Sequence, residues 1–300
     1  MSKLTLKRLS KTYNSAKYVS FNSKSKIIIM SDCHRGTGNW GDNFAHNQNI
    51  YFAALSHYYD NGFTYIELGD GDELWENRVY ENIINTYSNV FWLLSKFNQE
   101  NRLYMLYGNH DIVKRDPKYI KKVCSTKDNT CDKNDITLFN DIEFYNGIIL
   151  YNSQNKHKIF LTHGHQADIF NDIFWRVSRF LVRYLWSPLE LIGFKDPTSA
   201  SLNYSKRSKV ERNLIDWAKE HNQMIIVGHT HRPFFPDPDK ENKLYFNDGS
   251  AVHPRCITGI EICQGNISLI KWSVLVDPNK HLYVGKTILE GPLPLTTILQ

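Results

Sequence analysis

Five short polar clusters hold most of the side chains in this chain that could do chemistry. They are Asp32-Cys33-His34, Gly69-Asp70, Gly108-Asn109-His110-Asp111, His163-Gly164-His165 and Gly228-His229-Thr230-His231. Their carboxylates, imidazoles and one asparagine carbonyl form a mixed nitrogen and oxygen donor set large enough for two divalent cations. Such a set suits Mn, Fe, Zn or Ni better than Ca, and the lack of thiolate pairs argues against a structural zinc site. Asp32 and His34 stand two apart, as do His229 and His231, so in an extended segment each pair projects to one side and can reach a single ion. Gly69 lets the backbone and the Asp70 carboxylate approach a cation closely. Any one of these pieces is more often a turn or a core residue; five of them in series point to a shared metal site.

Each cluster follows directly on a short apolar run, at 26–31, 63–68, 102–107, 158–162 and 223–227. Runs that are apolar on both faces suit buried strands. The stretches 44–59 and 76–97 carry apolar residues at mixed spacings of three and four and read as helices. Strand, loop, helix, strand is the order of a layered α/β fold, in which ligands gather outside the carboxyl ends of the strands. The segment 114–134, rich in Lys, Asp, Asn and Thr, reads as a surface excursion. Residues 143–151 read as a hairpin turning at Asn146-Gly147. Further strands are expected at 244–246, 257–263, 267–275 and 281–288. The chain reads as a single domain over 1–300, with 1–25 as an N-terminal extension.

Composition narrows the partners. With 300 residues and 41% hydrophobic content, the chain can bury a full core. A formal charge of +5 is a mild excess that by itself names no partner. No nucleic-acid partner is expected, because aromatic residues and arginines cluster in an apolar helical stretch rather than along a basic groove. Cys124 and Cys131 could close a loop or hold zinc, but five cysteines without a CxxC pair read as free thiols of a reducing compartment. No apolar leader and no run of about 18 apolar residues is present, and a cytoplasmic location is expected.

The ordered motifs resemble the calcineurin-like metallophosphoesterases, whose pattern is DxH, GDxx(D/E), GNH(D/E), a single His and GHxH. Here these are Asp32-Cys33-His34, Gly69-Asp70-Gly71-Asp72-Glu73, Gly108-Asn109-His110-Asp111, His163 and Gly228-His229-Thr230-His231. The resemblance implies a four-layer α-β-β-α sandwich of two mixed sheets. It implies that Asp32, His34 and His231 hold one metal and Asn109, His163 and His229 the other, with Asp70 bridging. Mn²⁺ is the first choice for both ions, with Fe, Zn or Ni as substitutes. A metal-bridging hydroxide would then attack phosphorus in a phosphate ester or pyrophosphate bond. Glu73 stands where many members have Asp and is expected behind the ligands. His110 is the candidate general acid, with Asp111 expected to orient its imidazole. Arg35 is a candidate phosphate clamp, and His165 a candidate substrate or metal contact.

The substrate is less legible. Residues 169–194 are apolar and aromatic, with Arg176, Arg179 and Arg183 at helical spacing, and Lys206, Arg207, Lys209 and Arg212 follow. A helical insert over 166–215 could be a lid receiving an apolar or lipid-like phosphate compound. That arrangement, together with His229-Thr230-His231-Arg232-Pro233, resembles the UDP-2,3-diacylglucosamine pyrophosphohydrolase branch. The insert could instead be a peripheral membrane contact through 169–194, or a packing or dimer surface. Serine/threonine protein phosphatase or phosphodiesterase activity is the alternative within the same chemistry, and a non-catalytic metal-binding scaffold is the alternative outside it.

Overall fold

Ile27 and Ile29 pack into one buried cluster and their neighbours Ile28 and Met30 into another. Alternation along a strand sends successive side chains to opposite faces, so an all-apolar run means that both faces are covered. The computed structural model describes residues 3–124, 138–139, 141–186, 188, 203–240 and 242–299. Cys131, residues 125–134 of the 114–134 excursion and part of the 166–215 insert lie outside them.

Two sheets carry the fold. The larger runs in the order β12 (Leu282–Pro294), β11 (Asn266–Val276), β10 (Cys256–Cys263), β2 (Lys26–Met30), β3 (Thr64–Leu68), β4 (Leu103–Leu106), β5 (Phe144–Tyr145). The smaller runs β1 (Lys17–Ser20), β6 (Gly147–Tyr151), β7 (Lys158–Thr162), β8 (Met224–Val227), β9 (Tyr245–Asn247). Both are mixed: β2, β3, β4 and β5 are parallel neighbours, whereas β10 pairs antiparallel with β2 and with β11.

Helices cover the outer faces. On the larger sheet, α2 (Gln48–Asp60) and α4 (Ser88–Gln99) bury Tyr51, Leu55, Phe91 and Leu94 against Ile28, Met30 and Tyr65. On the smaller sheet, α1 (Lys3–Asn14) and the helix Tyr204–Glu220 contribute Leu9, Leu214 and Trp217 to a cluster that includes the inner strands of both sheets. Asn203 starts the latter helix by accepting a hydrogen bond from the Lys206 N–H at 3.0 Å, which satisfies one otherwise unpaired first-turn donor. The four expected layers are present.

Several local expectations are corrected. The N-terminal stretch is part of the sandwich: β1 pairs with β6, and Leu9 on α1 is fully buried. The helix expected over 76–97 divides into α3 (Tyr80–Thr86) and α4 at Tyr87. There, tertiary contacts override helical continuity: buried Tyr87 donates to Asp42 at 2.5 Å and packs on Phe44. Asn146-Gly147 is not a hairpin turn. The chain leaves β5 in one sheet and enters β6 in the other, with the Asn146 side chain bonded to Thr12 and Gln166. Lys114, expected in a surface excursion, is 1% exposed.

Candidate metal centre

Parallel pairing of β2 with β3 continues past the strand ends. Asp32 N donates to Gly69 O and His34 N to Asp70 O, at 3.1 and 2.9 Å, which places the first two clusters side by side. The third joins them through His110 N, which donates to Asp70 Oδ1 at 2.7 Å. His163 and His229 end β7 and β8 in the facing sheet. Glycine is needed where these loops cross: a Cβ on Gly108 would stand 2.2 Å from Asp70 Oδ1, and one on Gly228 2.1 Å from Ser31 Oγ.

The sequence suggested extended DxH and HxH segments, and here the backbone differs. Asp32 (φ 51°), His34 (48°), Asp70 (49°), His229 (65°) and His231 (53°) all occupy the left-handed region. Each such residue costs on the order of 1–3 kcal/mol and persists where the surroundings enforce it, most often at functional sites.

Asp32, His163 and His34 are held at one end, which aims the other end into the site. Asp32 Oδ2 accepts from Ser31 Oγ at 2.5 Å and from His229 N at 2.8 Å, while Oδ1 is buried without a hydrogen-bond partner. His163 Nδ1 donates to Leu68 O at 3.1 Å, leaving Nε2 without one. Asn109 is fully buried with neither side-chain atom bonded, and His229 Nε2 is likewise unbonded. His34 Nδ1 lies 2.9 Å from Glu73 Oε2, so that its Nε2 turns the other way, toward His231 Nε2 at 3.3 Å. Buried polar atoms left unpaired cost roughly 1–3 kcal/mol each, and outer partners of this kind orient metal ligands.

The free ends gather into tight groups. Asp32, His34 and His231 form one and Asp70, His163 and His229 another, their ligand atoms within 4.8 Å of one another; His34, Asp70 and His110 form a third. Within them His231 Nε2 lies 3.0 Å from Asp32 Oδ1, and His163 Nε2 3.0 Å from Asp70 Oδ2. The sequence profile of the calcineurin-like phosphoesterases matches residues 25–233. The chain belongs to that family. No curated protein sequence matches it significantly. Among solved structures, Chaetomium thermophilum Vps29 aligns over 89% of this chain and 97% of its own, with 10% identity and a TM-score of 0.40.

Metal-dependent hydrolysis of phosphoesters is the chemistry of calcineurin-like phosphoesterases, and the donor set fits divalent cations: nitrogen and oxygen atoms, buried, aimed together and otherwise unsatisfied. Electrostatics agree. Burial opposes the charge on Asp32, yet the His231 and His163 imidazoles hold its carboxyl well below the usual range. Burial likewise opposes protonation of His163, but Asp70 and Asp32 raise it to about 9. A bound cation would take the place of that proton.

His110 lies beside the groups, stacked on Trp75 with ring centroids 4.2 Å apart. Its Nδ1 sits 2.7 Å from a Glu73 oxygen. Burial opposes ionisation of Glu73, but His110 and His34 together bring it down to about 2. Asp111, expected to orient His110, does not touch its ring. Its carboxylate accepts from Gly108 N at 2.7 Å, Gly71 N at 3.2 Å and Lys114 Nζ at 2.8 Å. Sequence neighbours at a tight turn face opposite ways, and Glu73 takes the orienting place.

Arg35 is also corrected. It is fully buried, with two guanidinium nitrogens on Glu67 at 2.7 and 2.8 Å and the third on Asp72 at 2.7 Å. Every face of the fork is used internally, so it cannot clamp substrate. His165 is 2% exposed beside His163, and burial, with His163 and His229 adding to it, keeps it neutral. Its ring packs beside that of His163 with Nδ1 buried and unbonded, and it offers substrate no open edge. Three residues gained roles that spacing did not signal: Trp75 under His110, Lys114 beneath Asp111, and Asp248, bonded at 2.8 Å to the serine that also holds Asp32. Asp168 lies 3.6 Å from His229 Nε2 and 3.0 Å from Lys206 Nζ; its position five residues after His163 was the one available signal.

Proposed function

We propose that this chain is a dinuclear metal-dependent phosphoesterase hydrolysing a phosphate ester or pyrophosphate bond. Asp32, His34 and His231 would hold one ion, Asn109, His163 and His229 the other, and Asp70 would be shared, with Mn²⁺ the preferred metal. The observation that carries this reading is the set of buried, unbonded donor atoms on Asp32, Asn109, His163 and His229. When bound, the two ions supply an activated water nucleophile and positive charge for the phosphoryl oxygens.

The protein's own groups do the rest. Glu73 fixes the His110 ring through Nδ1 and Trp75 holds its plane, so Nε2 is the atom left to carry a proton to the departing oxygen. Glu73 also fixes His34, so one carboxylate positions a metal ligand and the acid together. The test is hydrolysis of bis(p-nitrophenyl) phosphate by metal-stripped protein with and without Mn²⁺. Turnover should depend on the metal and be lost in Asp70→Asn. Equal rates in the absence of metal, or an active Asp70→Asn protein, would overturn the reading.

A further inference from the structure

A surface helix ordinarily turns its apolar stripe inward. The segment formed by Ile169–Asp172, Trp175–Leu181 and the wider-wound turn Val182–Trp186 does the reverse. Phe170, Phe174, Val177, Phe180, Leu181 and Tyr184 recur at spacings of three and four, and they are 65%, 50%, 57%, 60%, 42% and 55% exposed.

Polar groups are what tie this segment down. Asp172, its one acidic residue, is buried and doubly bonded to Arg8 at 2.5 Å. Asn171 donates to Asp168, and Arg183 donates to the carbonyls of Trp75 and Leu74 at 2.6 and 2.9 Å. The inversion is therefore fixed by specific bonds, and a large outward apolar face marks an interaction surface.

The face is basic at its border. Arg115, Arg176 and Arg179 all pack on the Trp175 ring, at 5.5, 5.5 and 4.8 Å, and Arg78 packs on Tyr184 at 5.5 Å. It also adjoins the site opening, because Arg183 grips Trp75, the residue stacked on His110. The loop with Trp40, 96% exposed, is tied to the same 74–78 segment through a Thr37 to Asn77 hydrogen bond.

We propose that this face docks on an anionic lipid bilayer, with Phe174, Phe180 and Tyr184 entering the headgroup boundary and the bordering arginines meeting lipid phosphates. Aromatic and aliphatic side chains ringed by arginines, with the sole acid turned inward, complement a surface that is apolar below and negative above. None of the described helices is long and apolar enough to cross a membrane, so the association is peripheral. The proposal rests on the phosphoesterase reading only in having the site open toward that surface; docking itself needs no turnover.

The test is co-sedimentation of the full chain with phosphatidylcholine vesicles, with and without phosphatidylglycerol. Wild type should pellet with the anionic vesicles and remain in solution with the neutral ones. Phe174→Ser with Phe180→Ser, and separately Arg176→Glu with Arg179→Glu, should each lower the partition coefficient about tenfold or more. Both variants should hydrolyse soluble bis(p-nitrophenyl) phosphate as wild type does, which shows that they fold and separates failure of docking from failure of the phosphoesterase reading. No pelleting, equal pelleting on both vesicle types, or unchanged pelleting of both variants would overturn the proposal. So would a sedimentation-velocity dimer that the phenylalanine substitutions dissociate, since the face would then take a second copy of the chain.

Discussion

Two buried charged clusters lie against each other at the ends of β2, β3 and β4, and they are built on opposite plans. In the metal cluster, Asp32, Asn109, His163 and His229 each keep an atom without a hydrogen-bond partner. In the ionic cluster behind it, Arg35 spans Glu67 and Asp72, Lys114 spans Asp72 and Asp111, and Tyr80 donates to Asp72 at 2.8 Å. Both are almost fully removed from water. Burial and charge therefore do not distinguish a reactive site from a structural one; satisfaction does. The closed cluster holds the open one in place, because Asp111 clamps the backbone of Gly71 and Gly108, next to Asp70 and Asn109.

The contrast can be broken from either side. The larger effect is expected in catalysis. His110→Ala should lose about 10²–10⁴ in turnover, most with poor leaving groups, while still binding metal, because His110 is not among the proposed ligands. Titration calorimetry with Mn²⁺ and steady-state rates check the two halves separately, and full turnover on a poor leaving group would remove the acid role. In the closed cluster the effect should fall on folding. Lys114→Met leaves Asp72 and Asp111 buried short of a cation, which costs about 3–5 kcal/mol in urea unfolding. A Lys114→Met protein as stable as wild type would mean that the ionic cluster is dispensable and the contrast is empty.

Much of the open cluster is legible in the sequence because each donor stands at the end of a short apolar run, and such runs become parallel neighbours. The closed cluster is not, because its pairs join residues such as Arg35 with Glu67 and Lys114 with Asp72, and no local pattern distinguishes these from surface charges. Asp111 misled through proximity: it follows His110 in sequence, whereas Glu73 reaches the ring in space. Asn146-Gly147 has the composition of a tight turn, but Gly147 meets Phe160 and Thr12 too closely for a side chain and marks a crossing between sheets. The left-handed backbone at Asp32 and His231 is likewise invisible to period counting, since no glycine announces it.

The central claim is that the unbonded atoms converge on two cations. Anomalous diffraction at the manganese edge from crystals soaked in Mn²⁺ tests it directly. Two peaks are expected, one among Asp32, His34 and His231 and one among Asn109, His163 and His229, with Asp70 between them. No peak there, or ions only at surface carboxylates, would contradict the account.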